Sequence, residues 1–155
     1  GWGDFVIAKS FMFYAILSVT TLFISGPIVD RYTSRKILPL MNIPSLLGML
    51  ILFYFDHHLS SYFLLGLMGI SNGLANVLGS STWAEIYGVK YIGSIKALTT
   101  SMMVFSTAFG TAVFGIIIDF GYSIEIIAAV SFLYILVSNI LITIFRGKIE
   151  PILLK

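Results

Sequence analysis

The sequence predicts an all-α fold, a polytopic bundle of five helices that cross a membrane, and three observations carry that prediction. The 155 residues are 58% hydrophobic, with a mean hydropathy of +1.01. Only 10% are Asp, Glu, Lys or Arg, against about 25% in an ordinary soluble domain, too few to cover a surface in water. Those few charges are clustered, and they leave five uninterrupted runs: Ser10–Val29, Ile37–Phe55, Leu59–Ala84, Ala97–Ile118 and Ile126–Phe145. A bilayer-spanning helix needs about 20 apolar residues at 1.5 Å rise each. Hydrocarbon offers no partner to an unpaired backbone group, so such runs must be helical, and the alternation of a barrel strand is not seen. The same arithmetic excludes a water-soluble enzyme and a disordered chain. A net charge of +2 without a basic stripe excludes a nucleic-acid partner. Cysteine is absent, which removes disulfides, thiolate metal sites and a Cys nucleophile.

Each span has its own character. The first, 10–29, places Tyr14, Ser18, Thr21 and Ser25 at spacings of 4, 3 and 4, one helical face. The second, 37–55, is mostly Leu, Ile and Phe and suits a lipid-facing position. Pro44 removes one of its backbone bonds and predicts a bend. Asn42 beside it reads as a local partner for backbone rather than a ligand. The third span, centred on 62–82, aligns Gly69, Asn72, Gly73, Asn76 and Ser80 on one face. The fourth, 97–118, gathers Thr100, Thr107, Gly110 and Thr111 more loosely. The fifth, 126–145, is greasy throughout.

The polar faces have two readings. Gly, Ser and Thr let helices approach closely and hydrogen-bond across the contact, and Gly69 with Gly73 forms a small-x-x-x-small pair. Alternatively the faces line a polar pathway, with Tyr14, Ser18, Thr21, Asn72, Asn76, Thr107 and Thr111 along it. Packing is the plainer reading for the hydroxyls. Asn72 and Asn76 are the strongest candidates for solute contact, because two carboxamides one turn apart at membrane depth are costly unless bonded; Tyr14 follows. No Asp, Glu, Lys, Arg or His lies inside any of the five runs, so an intramembrane ion-coupling group is not expected in this chain.

Orientation follows from Lys and Arg. Arg31, Arg35, Lys36, Lys90, Lys96, Arg146, Lys148 and Lys155 fall on one side, and Lys9 alone on the other. The positive-rich side is expected to be cytoplasmic, with loops 30–36 and 84–96, a tail 146–155, and the N-terminus outside. Tyr54, Phe55 and Tyr62 on one side and Trp83, Tyr87 and Tyr91 on the other suit interfacial belts. A chain that starts Gly1-Trp2-Gly3-Asp4 outside, with no export signal before its first span, is expected to be a fragment of a longer polytopic protein.

The segment Gly26-Pro27-Ile28-Val29-Asp30-Arg31-Tyr32-Thr33-Ser34-Arg35-Lys36 is the most specific local signal. Asp30 is an acid on an otherwise basic side, where a carboxylate can cap a helix N-terminus or pair with Arg, and Gly26 would allow close helix approach. This segment resembles the loop signature of the major facilitator superfamily, Gly-x-x-x-Asp-Arg-x-Gly-Arg-Arg/Lys. Gly26, Asp30, Arg31 and Arg35 match it, while Thr33 stands where Gly is usual and Ser34 where Arg is usual. Trp83-Ala84-Glu85-Ile86-Tyr87-Gly88 with Gly93 resembles the acidic-aromatic loop after the tenth helix of that family, and Gly110 to Gly121 its eleventh. The resemblance implies helices eight to twelve of a twelve-helix secondary transporter working by alternating access, with the N-terminal half of the same transporter, a small solute and the lipid bilayer as partners. It also implies a cytoplasmic gate of Gly26, Asp30, Arg31, Arg35, Lys36 and Glu85. In it Asp30 would cap or pair with the fourth span's cytoplasmic end, and Arg31 or Arg35 would pair with Glu85. A weaker resemblance points to organic anions such as monocarboxylates. The rival readings are a non-transporting subunit or sensor with the same packing, and a half-size protein that dimerises.

Other chemistry finds little support. Asp56-His57-His58 is a poor metal site, since adjacent His residues rarely converge on one ion and the chain has only these two His. They also lie far from the Ser residues of the spans, which argues against a hydrolase. Gly-rich phosphate loops are missing, and no cofactor is expected.

Overall fold

A computed structural model describes residues 3–55 and 57–145, excepting the side chains of Asp4 and His58. Asp56, the tail 146–155 and Gly1-Trp2 lie outside the described residues, and so do the readings made on them. The described chain forms α1 (Asp4–Arg31), α2 (Ser34–Ile37), a 3₁₀ turn (Leu38–Asn42), α3 (Ile43–Tyr54), α4 (His58–Tyr87), a second 3₁₀ turn (Val89–Tyr91), α5 (Ile92–Asp119) and α6 (Ile124–Phe145). Among the described residues, five stretches are long and apolar enough to cross a membrane: Phe5–Arg31, Ser34–Tyr54, Leu59–Tyr87, Val89–Asp119 and Ile124–Phe145.

The helices overrun the charge-free runs. The 30 residues of α4 reach about 45 Å at 1.5 Å per residue, the thickness of a bilayer with its headgroups. Charged residues end the apolar run without ending the helix, because the polar headgroup layer beyond the hydrocarbon accommodates them. The expected loops at 30–36 and 84–96 are accordingly mostly helical. Two of the breaks fall at glycine. Gly88 (φ 77°) closes α4 and Gly121 (φ 80°) follows α5, both in backbone conformations that side chains disfavour.

The second span is interrupted at its prolines by a 3₁₀ turn. Pro44 has no N–H for the Leu40 carbonyl, which accepts instead from Ile43 N–H. That shorter bond makes the turn 3₁₀ and divides α2 from α3. The freed Ser45 N–H is bonded across the bundle to Ser71 Oγ of α4 at 3.0 Å. Asn42 makes no capping bond to α3, so the local role expected of it is taken by a serine from another helix.

The core is small and inverted. Ser10, Ser18, Ser25, Ser34, Ser60, Ser61, Ser71 and Thr82 are buried, against Val29, Leu78, Ile86 and Ala128 among apolar side chains. Large apolar residues point outward, as expected where lipid is the solvent and small residues mediate helix contacts. α1 packs along α4, α3 against α4, and α6 on α3. Gly48 of α3 faces Leu64, whose backbone would lie 3.4 Å from an added Cβ. α5 meets α4 only slightly and has no buried residue.

Candidate functional site

The candidate site is the seam between α1 and α4. Ser10 Oγ lies 3.0 Å from Ser61 Oγ, 51 positions away in sequence, and Asn72 Nδ2 donates to Ser18 Oγ at 3.0 Å over 54 positions. A nearly constant offset along two helices means that they run parallel and in register. Parallel neighbours require the intervening chain to cross back, which the second span does.

Glycine sets the closeness of this seam. A Cβ on Gly69 would stand 2.5 Å from the Tyr14 carbonyl oxygen, and one on Gly73 would stand 2.6 Å from that of Ser18 and 2.8 Å from Thr21 Cβ. Backbone meets backbone here, so Tyr14, Ser18, Thr21, Gly69, Asn72 and Gly73 do share one contact. Ser25 is buried, and its hydroxyl is satisfied within α1 by the Thr21 carbonyl at 2.7 Å.

Asn72 and Asn76 lie at the middle of α4 and remain exposed. Asn76 Nδ2 donates to the Asn72 carbonyl at 2.8 Å and is 3.4 Å from Asn72 Oδ1. Ser80 Oγ continues the stripe by donating to the Asn76 carbonyl at 3.0 Å. Among the described residues, Asn76 Oδ1 and the half-buried Tyr14 hydroxyl have no hydrogen-bond partner. Thr107 and Thr111 are not part of this group. Both are exposed on α5 and bond to their own helix, at Met103 O and Thr107 O, 2.8 Å each.

The seam ends in a polar latch. Ser34 N–H, in the first turn of α2, donates to Glu85 Oε1 at 2.9 Å, and Ser34 Oγ lies 3.0 Å from Thr82 Oγ1. Arg35 Nε stands 3.5 Å from Glu85 Oε2, an ion pair with both side chains partly covered. Of the two arginines proposed for Glu85, Arg35 is the one in place. The carboxylate that caps a neighbouring helix is Glu85, not Asp30. Asp30 is exposed and makes no hydrogen bond or ion pair among the described residues, because α5, its expected partner, stands away from α1. Arg31 lies 5.9 Å from the Tyr32 ring, and Lys36 is exposed in α2. Gly26 has nothing within 4 Å of an added Cβ, so the close approach expected there does not occur.

Several contributors escaped sequence reasoning. Ser10, Ser61, Ser34 and Thr82 are single hydroxyls in spans full of them, and nothing in their residue type or local spacing signals which pairs with which. Ser71 caps a break whose partner no local pattern specifies. His57, considered for metal, instead accepts from Leu59 N–H at 3.2 Å and caps α4. Among the described residues no group of three or more His, Cys, Asp or Glu could hold a metal ion.

The family model described as Major Facilitator Superfamily covers residues 1–151. No curated protein and no solved structure matches the chain.

Proposed function

The chain belongs to the major facilitator superfamily, a family of membrane transporters, and from that membership we propose that it takes part in secondary active transport of a small polar solute by alternating access. The observation that carries this reading is the exposed pair Asn72 and Asn76 at the midpoint of α4. A carboxamide with an unpartnered oxygen is costly in hydrocarbon, and transporters place their solute sites near the membrane midplane on helices that face a cavity. Asn72, Asn76 and Tyr14 are the proposed solute contacts, with Ser18 and Thr21 shaping the wall that carries them. Thr107 and Thr111 would join only if α5 closes on the seam.

In this reading the five spans are helices eight to twelve, and the end that carries Arg31, Arg35, Lys36, Lys90 and Lys96 faces the cytoplasm of a cell whose plasma membrane holds the protein. The Ser34–Glu85 and Arg35–Glu85 contacts hold α2 to α4 at that end. Asp30 and Arg31, exposed beside them, are the groups left to engage whatever closes over the cytoplasmic face. Asp30→Asn is then expected to lower transport rate more than solute affinity, and an unchanged rate removes Asp30 from the gate.

The test compares metabolite profiles of cells that express the protein with those that express Asn76→Leu at equal membrane abundance. A solute whose level shifts only with the unaltered protein supports the reading. Identical profiles with and without the protein overturn transport, and a shift that persists in Asn76→Leu overturns the site.

A further inference from the structure

A groove of about 680 Å³ opens between the N-terminal halves of α1 and α4 and ends short of Asn72. Phe13 and Leu17 form one wall and Phe63 and Leu67 the other, with Lys9 and Tyr62 at the mouth. The Phe13 and Tyr62 rings meet edge to face, 5.6 Å apart at 84°, and the Lys9 ammonium sits 4.3 Å above the Phe5 ring.

Depth and charge together define an occupant. Arg31, at the far end of α1, is 22 positions beyond Lys9, about 33 Å of helix, close to the ~30 Å of bilayer hydrocarbon. Lys9 therefore stands at headgroup level on one face when Arg31 stands at headgroup level on the other. Leu17 is eight positions below Lys9, about 12 Å, so the groove is roughly one leaflet deep. It presents carbon along its length and a cation at its rim. Lys9 is also the one Lys or Arg outside the clusters at 31–36, 90–96 and 146–155. A polar solute gains nothing from such walls, and a wholly apolar helix would leave the ammonium without a counter-charge.

We propose that this groove binds an anionic phospholipid, with its phosphate on Lys9 and one acyl chain laid along Phe13, Leu17, Phe63 and Leu67. The proposal rests on the membrane-spanning fold and is independent of which solute is moved. A single Lys beside an anionic headgroup supplies about fivefold preference over a zwitterionic one. Gly66 keeps the groove open, since a Cβ there would already stand 3.0 Å from Leu17 Cδ1.

The experiment uses the protein in phosphatidylcholine nanodiscs with phosphatidylglycerol as the minor lipid, each lipid in turn carrying a photoreactive group on its acyl chain. Mass spectrometry then locates the label. Labelling is expected at Leu17, Phe63 and Leu67, with about fivefold preference for phosphatidylglycerol that excess inorganic phosphate does not abolish. Lys9→Gln, a surface change that leaves the helix contacts intact, is expected to bring the preference to about one. Gly66→Leu should reduce labelling by both lipids. Label spread evenly over the exposed faces of α5 and α6 overturns the site. So does an unchanged preference in Lys9→Gln, loss of the lipid to inorganic phosphate, or cross-linking of a photoreactive residue at position 63 to protein instead of lipid.

Discussion

Gly69→Ala is the most informative single change in the α1–α4 seam. The added Cβ would stand 2.5 Å from the Tyr14 carbonyl oxygen and 3.1 Å from Tyr14 Cα. Both are backbone atoms and neither can rotate away. Ordinary contact begins near 3.4 Å, so the helices must part by about 0.9 Å. Three residues along the same face, the 3.0 Å bond from Asn72 to Ser18 would then stretch past hydrogen-bonding range. Overpacking of this kind costs about 1–3 kcal/mol, and the lost interhelical bond adds about 0.5–1.5 kcal/mol. The higher helix propensity of Ala returns about 1 kcal/mol, leaving a net loss of about 0.5–3.5 kcal/mol. Gly79→Ala, on the same helix with nothing within 4 Å of its added Cβ, keeps the propensity gain and has no cost to offset it. The assay is unfolding in mild detergent followed by circular dichroism, with the two variants side by side. Gly69→Ala should unfold earlier than the parent and Gly79→Ala later or unchanged. Equal stabilities would refute the close approach of the two helices and the register built on it.

Other changes separate the remaining contacts. Glu85→Ala leaves the buried Ser34 N–H without its acceptor and should cost about 1–3 kcal/mol, while Glu85→Gln keeps an acceptor and loses only a partly exposed ion pair, below about 1 kcal/mol; thermal unfolding of both variants distinguishes the cap from the pair. Ser71→Ala should raise the hydrogen-exchange rate of the Ser45 amide, which would otherwise bond at 3.0 Å, with little effect on amides of α6; an unchanged rate at Ser45 means that the break in the second span is satisfied elsewhere.

The fold was largely legible because the solvent dictates it. Lipid forbids unpaired backbone, so five charge-free runs had to become five helices, and Pro44 had to interrupt the second. The helix ends were less legible. Charge marks where hydrocarbon stops, and α4 continues past Ala84 to Tyr87 because its backbone stays satisfied in the headgroup layer. The α1–α4 seam was legible in outline. Gly69, Gly73 and Asn72 announce a close, hydrogen-bonded seam through residue type and spacing. Their partners did not, because Ser10, Ser61 and Ser71 resemble every other hydroxyl until the third dimension pairs them. Asp30 and Glu85 show the same limit: both are carboxylates near one end, and only packing decides that Glu85 reaches the first turn of α2. Thr107 and Thr111 fell on a shared face yet serve their own backbone, an outcome that spacing alone does not separate from a pathway.

The central claim is that the middle of α4 faces a water-filled pathway. The absence of cysteine makes a direct measurement possible: Asn76→Cys in the membrane-embedded protein, challenged with a charged, membrane-impermeant thiol reagent, beside Leu133→Cys on the exposed apolar face of α6. The account predicts that position 76 reacts at least about tenfold faster than position 133, the margin that about 1.4 kcal/mol of differential access would give. Equal, negligible labelling at both positions would place Asn76 against lipid or protein and contradict the account.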